Sequence, residues 1–244
     1  MANWSDPRSD IAGCGNASAA RSEAFDAGLR KYMLSVYNYM ASGVLLTGVV
    51  AMLFASSGLA LQILAGPGIL KYVIMFAPLA FVMVMSFGIN KLSTVAMQSL
   101  FWAYAAVMGL SLSSIFMVYT DASIAKVFFI TAATFGAMSL YGYTTKRDLT
   151  GVGNFLIMGL IGLIIASLVN IFLQSSMLDF AISAIGVLVF VGLTAYDTQK
   201  IKESYSASFG AEVLAKGAIM GALNLYLDFI NLFLMLLRLF GNRE

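Results

Sequence analysis

Two carboxylates in this chain stand where carboxylates are costly. Asp228 lies in the middle of the apolar run from Val213 to Leu237. An aspartate at the centre of a membrane helix costs about 2.5–3.5 kcal/mol or more, so it must face protein or water rather than lipid. Asp197 lies near the end of the preceding apolar run, in Gly192-Leu-Thr-Ala-Tyr-Asp-Thr-Gln-Lys-Ile201. If the two side chains meet at about 4 Å, they repel by roughly 4 kcal/mol at an effective dielectric near 20. Such a pair shares a proton and titrates as a unit. That is the chemistry of a proton-operated contact between two helices.

The polar companions of Asp228 fall in line with it. Gly217, Gly221, Asn224, Asp228, Asn231, Met235 and Arg238 follow one another at steps of 4 or 3, the spacing of one helical face. Asn224 and Asn231 therefore support the same polar face as Asp228. The two carboxylates, the two asparagines and a few carbonyls or waters offer oxygens for a transient, not a tight, site near Asp197 and Asp228 for a hard cation such as calcium, which takes six to eight of them. Weak binding of that kind is what conduction needs. The blander reading is that Asp228 only bonds backbone or asparagine, and that Asp197 is an interfacial residue paired with Lys200.

Other chemistries lack their residues. The 244-residue chain has no histidine, so His-based zinc sites, haem ligation by histidine and Ser-His-Asp triads are absent, and so is the usual switch near neutral pH. Its single cysteine, Cys14, can form neither an internal disulfide nor a cysteine metal cluster. No charged catalytic cluster and no nucleotide loop occur, so no catalytic residues and no cofactor are assigned and an enzyme is not expected. A net charge of +2 gives no reason to expect nucleic acid. A retinal photoreceptor would need a lysine midway along the last run, which holds only Lys216, near its start.

The elements that would position these residues are membrane spans. The chain is 60% hydrophobic and 11% charged, whereas a soluble domain carries roughly 25% charged residues. Seven apolar segments near the roughly 20 residues that cross a bilayer are predicted at about 33–55, 70–89, 97–118, 124–143, 154–174, 179–199 and 212–238. Residues 31–244 thus form one seven-helix domain of an all-α polytopic membrane protein. Residues 1–30 read as a polar, partly disordered cytoplasmic tail, with a short helix from Ser22 to Lys31. Pro78 is expected to kink the second span, and Asp179 to cap the sixth. Small residues such as Gly217 and Gly221 suit close packing inside the bundle.

With the N-terminus in the cytoplasm, Arg8, Arg21, Arg30, Lys31, Lys91, Lys146, Arg147, Lys200, Lys202 and Lys216 fall inside, and Lys71, Lys126, Arg238 and Arg243 outside. The positive-inside rule favours that orientation. Seven spans would put the C-terminus outside; a re-entrant segment would return it inside. Along the helices, Asp197 and Asp228 meet only if the sixth helix continues past Asp197 and the seventh enters the membrane near Lys216 or later.

The segment Asn224-Leu-Tyr-Leu-Asp-Phe-Ile-Asn-Leu-Phe-Leu-Met-Leu-Leu-Arg-Leu-Phe-Gly241 resembles the C-terminal signature of the Bax inhibitor-1 family. Ala195-Tyr-Asp-Thr-Gln-Lys-Ile201 is similar to its sixth-helix motif, and Gly109-Leu-Ser-Leu-Ser-Ser-Ile-Phe116 to its third. The resemblance runs over all seven spans. It implies a bacterial member whose two three-helix layers wrap a central C-terminal helix, in a bacterial inner membrane. It further implies a pH-sensitive calcium leak gated by an aspartate pair, here Asp197 and Asp228, with more leak on acidification. Calcium would be the permeant ion rather than a cofactor. In some members an arginine at the cytoplasmic end of the second helix latches onto the sixth-helix aspartate. Here Ser86-Phe-Gly-Ile-Asn-Lys91 has no arginine, and Lys91 is the candidate substitute, a point charge without a bidentate fork. The resemblance allows a second function, a non-conducting regulator or scaffold that binds membrane proteins such as a quality-control protease.

Overall fold

The computed structural model describes residues 7–242 apart from 65 and 67, with the side chains of residues 7–22 also outside the description. Among the described residues the secondary structure is helical, without a β-strand. The helices are α1 (Pro7–Ser56), α2 (Leu59–Leu64), α3 (Leu70–Gly88), α4 (Thr94–Leu112), α5 (Asp121–Thr144), α6 (Thr150–Leu173), α7 (Ser176–Glu203) and α8 (Ala211–Phe240). A 3₁₀ turn, Ser113–Met117, extends α4. Seven of these elements are long and apolar enough to cross a membrane: α1 from Glu23, α3, α4 with its 3₁₀ turn, and α5 to α8.

Short polar residues start the helices. Oγ of Ser93 accepts from the Ala96 amide, Oγ1 of Thr120 from Ser123, and Oγ of Ser175 from Leu178. Each occupies an amide that the first turn leaves unpaired. The cap of α7 is therefore Ser175 and not Asp179, which instead faces Arg238 of α8 at 3.8 Å. α6 ends at Gln174, in the left-handed region at φ 49°, and Oδ1 of Asn170 takes the next amide, that of Ser175.

The first helix differs from expectation. α1 begins at Pro7, so the residues read as a tail and a separate short helix run without a break into the first span. Of that tail, residues 1–6 lie outside the described residues. Hydropathy marks only the apolar part of a helix, and α1 continues past it. α3 runs through Pro78 as one helix.

α8 is the hub of the packing. Within its most apolar window 67% of residues are buried in the protein, against 6% for α6, which presents most of its surface outward. α8 packs on α7, α1, α5 and α4; α1 also packs on α4, α4 on α3, and both α5 and α6 on α7. Burial of Ile219, Leu223, Leu225, Tyr226, Leu232 and Leu237 on α8 makes this helix the axis of the core.

Candidate functional site: a carboxyl pair between two antiparallel helices

The register of α7 against α8 decides where the aspartates lie. Gly221 packs against Ile201, and Gly186 against Met235. In this antiparallel pairing Asp228 stands level with Thr194, about one turn deeper than Asp197. Helical side chains lean toward the N-terminus of their own helix. Asp228 therefore leans down its helix toward Asn224, and Asp197 leans up its helix toward Leu193. The two carboxyls converge and come close enough for a side-chain hydrogen bond. α7 continues six residues past Asp197 to Glu203, and in this register the first turns of α8 overshoot the end of α7.

The pair faces a cavity of about 590 Å³ between α6, α7 and α8. Apolar side chains of α6 (Leu160, Leu163, Ile164) form one wall; Tyr196, Asp197 and Lys200 of α7 and Asn224, Asp228 and Asn231 of α8 form the polar one. Asp228 is 5% exposed and Asp197 partly buried. Oδ2 of Asp228 is buried without a hydrogen-bond partner among the described residues. Carboxylate oxygens only accept, so the contact between the aspartates becomes a hydrogen bond only when one of them carries a proton.

The neighbours set the electrostatics. Lys200, one turn beyond Asp197, is the cation whose charge reaches it; its Nζ also lies 5.7 Å from the centre of the Tyr196 ring. Lys91 lies in the exposed turn after α3, which does not pack on α7, and is not part of the cavity wall. Asn231 turns its amide to its own helix, donating from Nδ2 to the Leu227 carbonyl at 2.8 Å, while Asn224 is exposed at the wall one turn before Asp228. Among the described residues no three histidine, cysteine or acidic side chains gather as a metal site. Two carboxylates and two amide oxygens fall short of calcium's six to eight ligands without water.

The structure adds partners that the linear pattern does not single out. Thr198, beside Asp197 in the chain, bonds Ser139 of α5 at 2.9 Å, and Ser139 bonds the Tyr37 hydroxyl of α1 at 2.6 Å. On the opposite side of α8, Tyr226 bonds Thr47 of α1 at 2.7 Å, and Thr47 donates to the Ala105 carbonyl of α4 at 2.8 Å. Gln199 Nε2 donates to the Arg147 carbonyl, and Gln199 Oε1 accepts from the Leu149 amide, tying the α5–α6 loop to α7. Thr198 and Gln199 stand in the same motif as Asp197, which is the one sequence signal for these ties.

Comparison with known proteins places the chain. Residues 29–244 match the family described as inhibitor of apoptosis-promoting Bax1. The chain is 54% identical over 225 residues to the inner membrane protein YbhL of Escherichia coli, covering 89% of this chain and 94% of that one. It is 53% identical over 227 residues to an uncharacterized protein of Rickettsia prowazekii, covering 93% and 96%. With an uncharacterized membrane protein of Streptococcus pyogenes it shares 39% over 221 residues, 90% and 96% of the two chains. A seven-helix bundle with a carboxyl pair between its hub helix and α7, matched over nearly its whole length by such relatives, is an integral multi-pass membrane protein that belongs to the Bax inhibitor-1 family.

Proposed function

We propose that this protein is a pH-sensitive cation leak of a bacterial inner membrane, with calcium as the permeant ion and Asp197 and Asp228 as the gate. The observation that carries the reading is the convergence of two carboxyls from antiparallel helices on one cavity, with an oxygen of Asp228 left without a donor. A proton between them ties α7 to α8. Its loss leaves two like charges on facing helices, and a second proton leaves two neutral acids. The pair therefore converts pH into a change at the α7–α8 contact without histidine. Asn224 and Asn231 add amide oxygens for a cation in passage, and Lys200 tunes the charge at Asp197. The name of the Escherichia coli relative supports the inner membrane as the location, and family resemblance supports greater leak on acidification.

The test is calcium flux by the purified protein in proteoliposomes across a range of pH. Wild type should conduct with a rate that changes with pH. Asp228→Asn and Asp197→Asn should each flatten the profile, because an amide cannot share the proton. A variant profile that tracks wild type would remove the gate from these residues. No flux at any pH would favour the non-conducting regulator.

A further inference from the structure

A second, mostly apolar groove, of about 440 Å³, lies between α1 and α5; it shares no residue with the carboxyl cavity, although Tyr37 and Ser139 on its wall belong to the hydroxyl chain that ends at Thr198. Met33, Leu34, Phe135 and Leu140 line it, and Gly136 leaves it open, since a Cβ built there meets nothing within 4 Å. The chemistry changes at one end, where Arg30 and Tyr143 form the mouth. Arg30 is exposed and makes no ion pair among the described residues. Asp26, one turn earlier on α1, is exposed and borders neither this groove nor the one beside it. Lys202 brings a second cation to the mouth: its Nζ donates to the Tyr143 carbonyl at 2.8 Å and lies 5.5 Å from that ring's centre. Across α1, the adjoining groove also borders Arg30, together with Lys31 and Trp102.

We propose that this groove is a binding site for an anionic phospholipid, with one acyl chain along α1 and α5 and the phosphate on Arg30. Polarity fits such an occupant: apolar walls along the groove, then, at one end, a guanidinium with no ion pair among the described residues beside an aromatic ring. Guanidinium forms paired hydrogen bonds with phosphate oxygens, and cations close to the membrane surface draw anionic headgroups. Charge selects the headgroup, and the missing side chain at Gly136 admits the chain. The lipid site shares no lining residue with the gate proposed above.

The experiment is native mass spectrometry of the full-length protein exchanged with equal amounts of phosphatidylglycerol and phosphatidylcholine, with thermal melting alongside. Wild type should retain phosphatidylglycerol over phosphatidylcholine by about fivefold, the effect of one juxtamembrane cation. Arg30→Gln should bring the ratio to parity, and Arg30→Lys should keep part of the preference. Gly136→Leu places its side chain in the groove from a position where a Cβ meets nothing within 4 Å, so it should lower retention of both lipids at an unchanged melting temperature. Equal retention of the two lipids by wild type would overturn the proposal. So would retention of phosphatidylglycerol by Arg30→Gln and Gly136→Leu at the wild-type level.

Discussion

Asp148 and Asp228 show how far one carboxyl can differ from another in the same chain. Asp228 has a buried oxygen with no donor, and its chemistry depends on the side chain opposite. Asp148 is exposed in the α5–α6 loop and is held below the usual carboxylate range by hydrogen bonds from Thr150, whose amide lies 2.8 Å from Oδ1. A carboxyl depressed in the folded state stabilises above its unfolded value, about 3.9, and that contribution disappears as pH falls through the lower folded value. The protection of the Thr150 amide, its exchange rate relative to the intrinsic rate at each pH followed by NMR in micelles, should therefore be higher at neutral pH and be lost below about pH 4. Asp148→Asn still offers an acceptor oxygen, so its exchange should show no such acid step. Of the site residues, Asp197, Asp228, Asn224 and Asn231 are legible in sequence because a polar group in an apolar run is conspicuous. The hydroxyl chain from Tyr37 through Ser139 to Thr198 is not, since its members are 102 and 59 residues apart and each type is ordinary where it stands.

At the scale of the helix, close approach does the positioning. Gly142 of α5 lies directly on the backbone of Ala195, two residues before Asp197, so that a Cβ would land on the Ala195 carbonyl oxygen. Gly142→Ala should push α5 from α7 and cost about 1–3 kcal/mol, the usual penalty of overpacking. Gly162 of α6 has no atom within 4 Å of its Cβ position. Gly162→Ala should thus be neutral or gain a few tenths of a kcal/mol from helix propensity. Detergent-titrated unfolding in bicelles measures both, and equal stability of the two variants would refute the packing argument. Span positions are legible because apolar length is a direct imprint of the bilayer. The relative height of α7 and α8 is not, because it depends on how the 204–210 connection lets α8 overshoot α7. The start of α1 escapes notice too, since its polar turns carry no apolar stripe.

Over the whole molecule, charge separates the two ends of the bundle. One end gathers Arg30, Lys146, Arg147, Lys200 and Lys202; the other holds Arg238 against Asp179. At that second end the Asn242 carbonyl accepts from Thr120, and its amide donates to Ser123. The positive-inside rule predicts that the lysine- and arginine-rich end faces the cytoplasm. With Cys14 replaced by serine, a single cysteine at Lys146 should resist a membrane-impermeant maleimide in intact cells, and one at Asp121 should react. The reverse pattern would invert the orientation. Such a whole-molecule property is legible because it depends on counts of charge rather than on any contact.

The central position of α8 has a consequence for biosynthesis. This helix follows the other six spans in the chain, yet α1, α4, α5 and α7 all pack against it. At about 5–20 residues per second, translation from the end of α1 to the start of α8 takes roughly 10–30 s. Over that interval the earlier helices enter the bilayer one after another with their seat for α8 unfilled; Tyr104 waits for much of it, and Asp197, close before α8 in the chain, for only about 1–3 s. α8 in turn must bring Asp228 across hydrocarbon, and the polar face of α7 is already waiting to receive it. The nascent bundle is therefore most exposed to misassembly, and most open to insertion factors, just before its seventh span emerges.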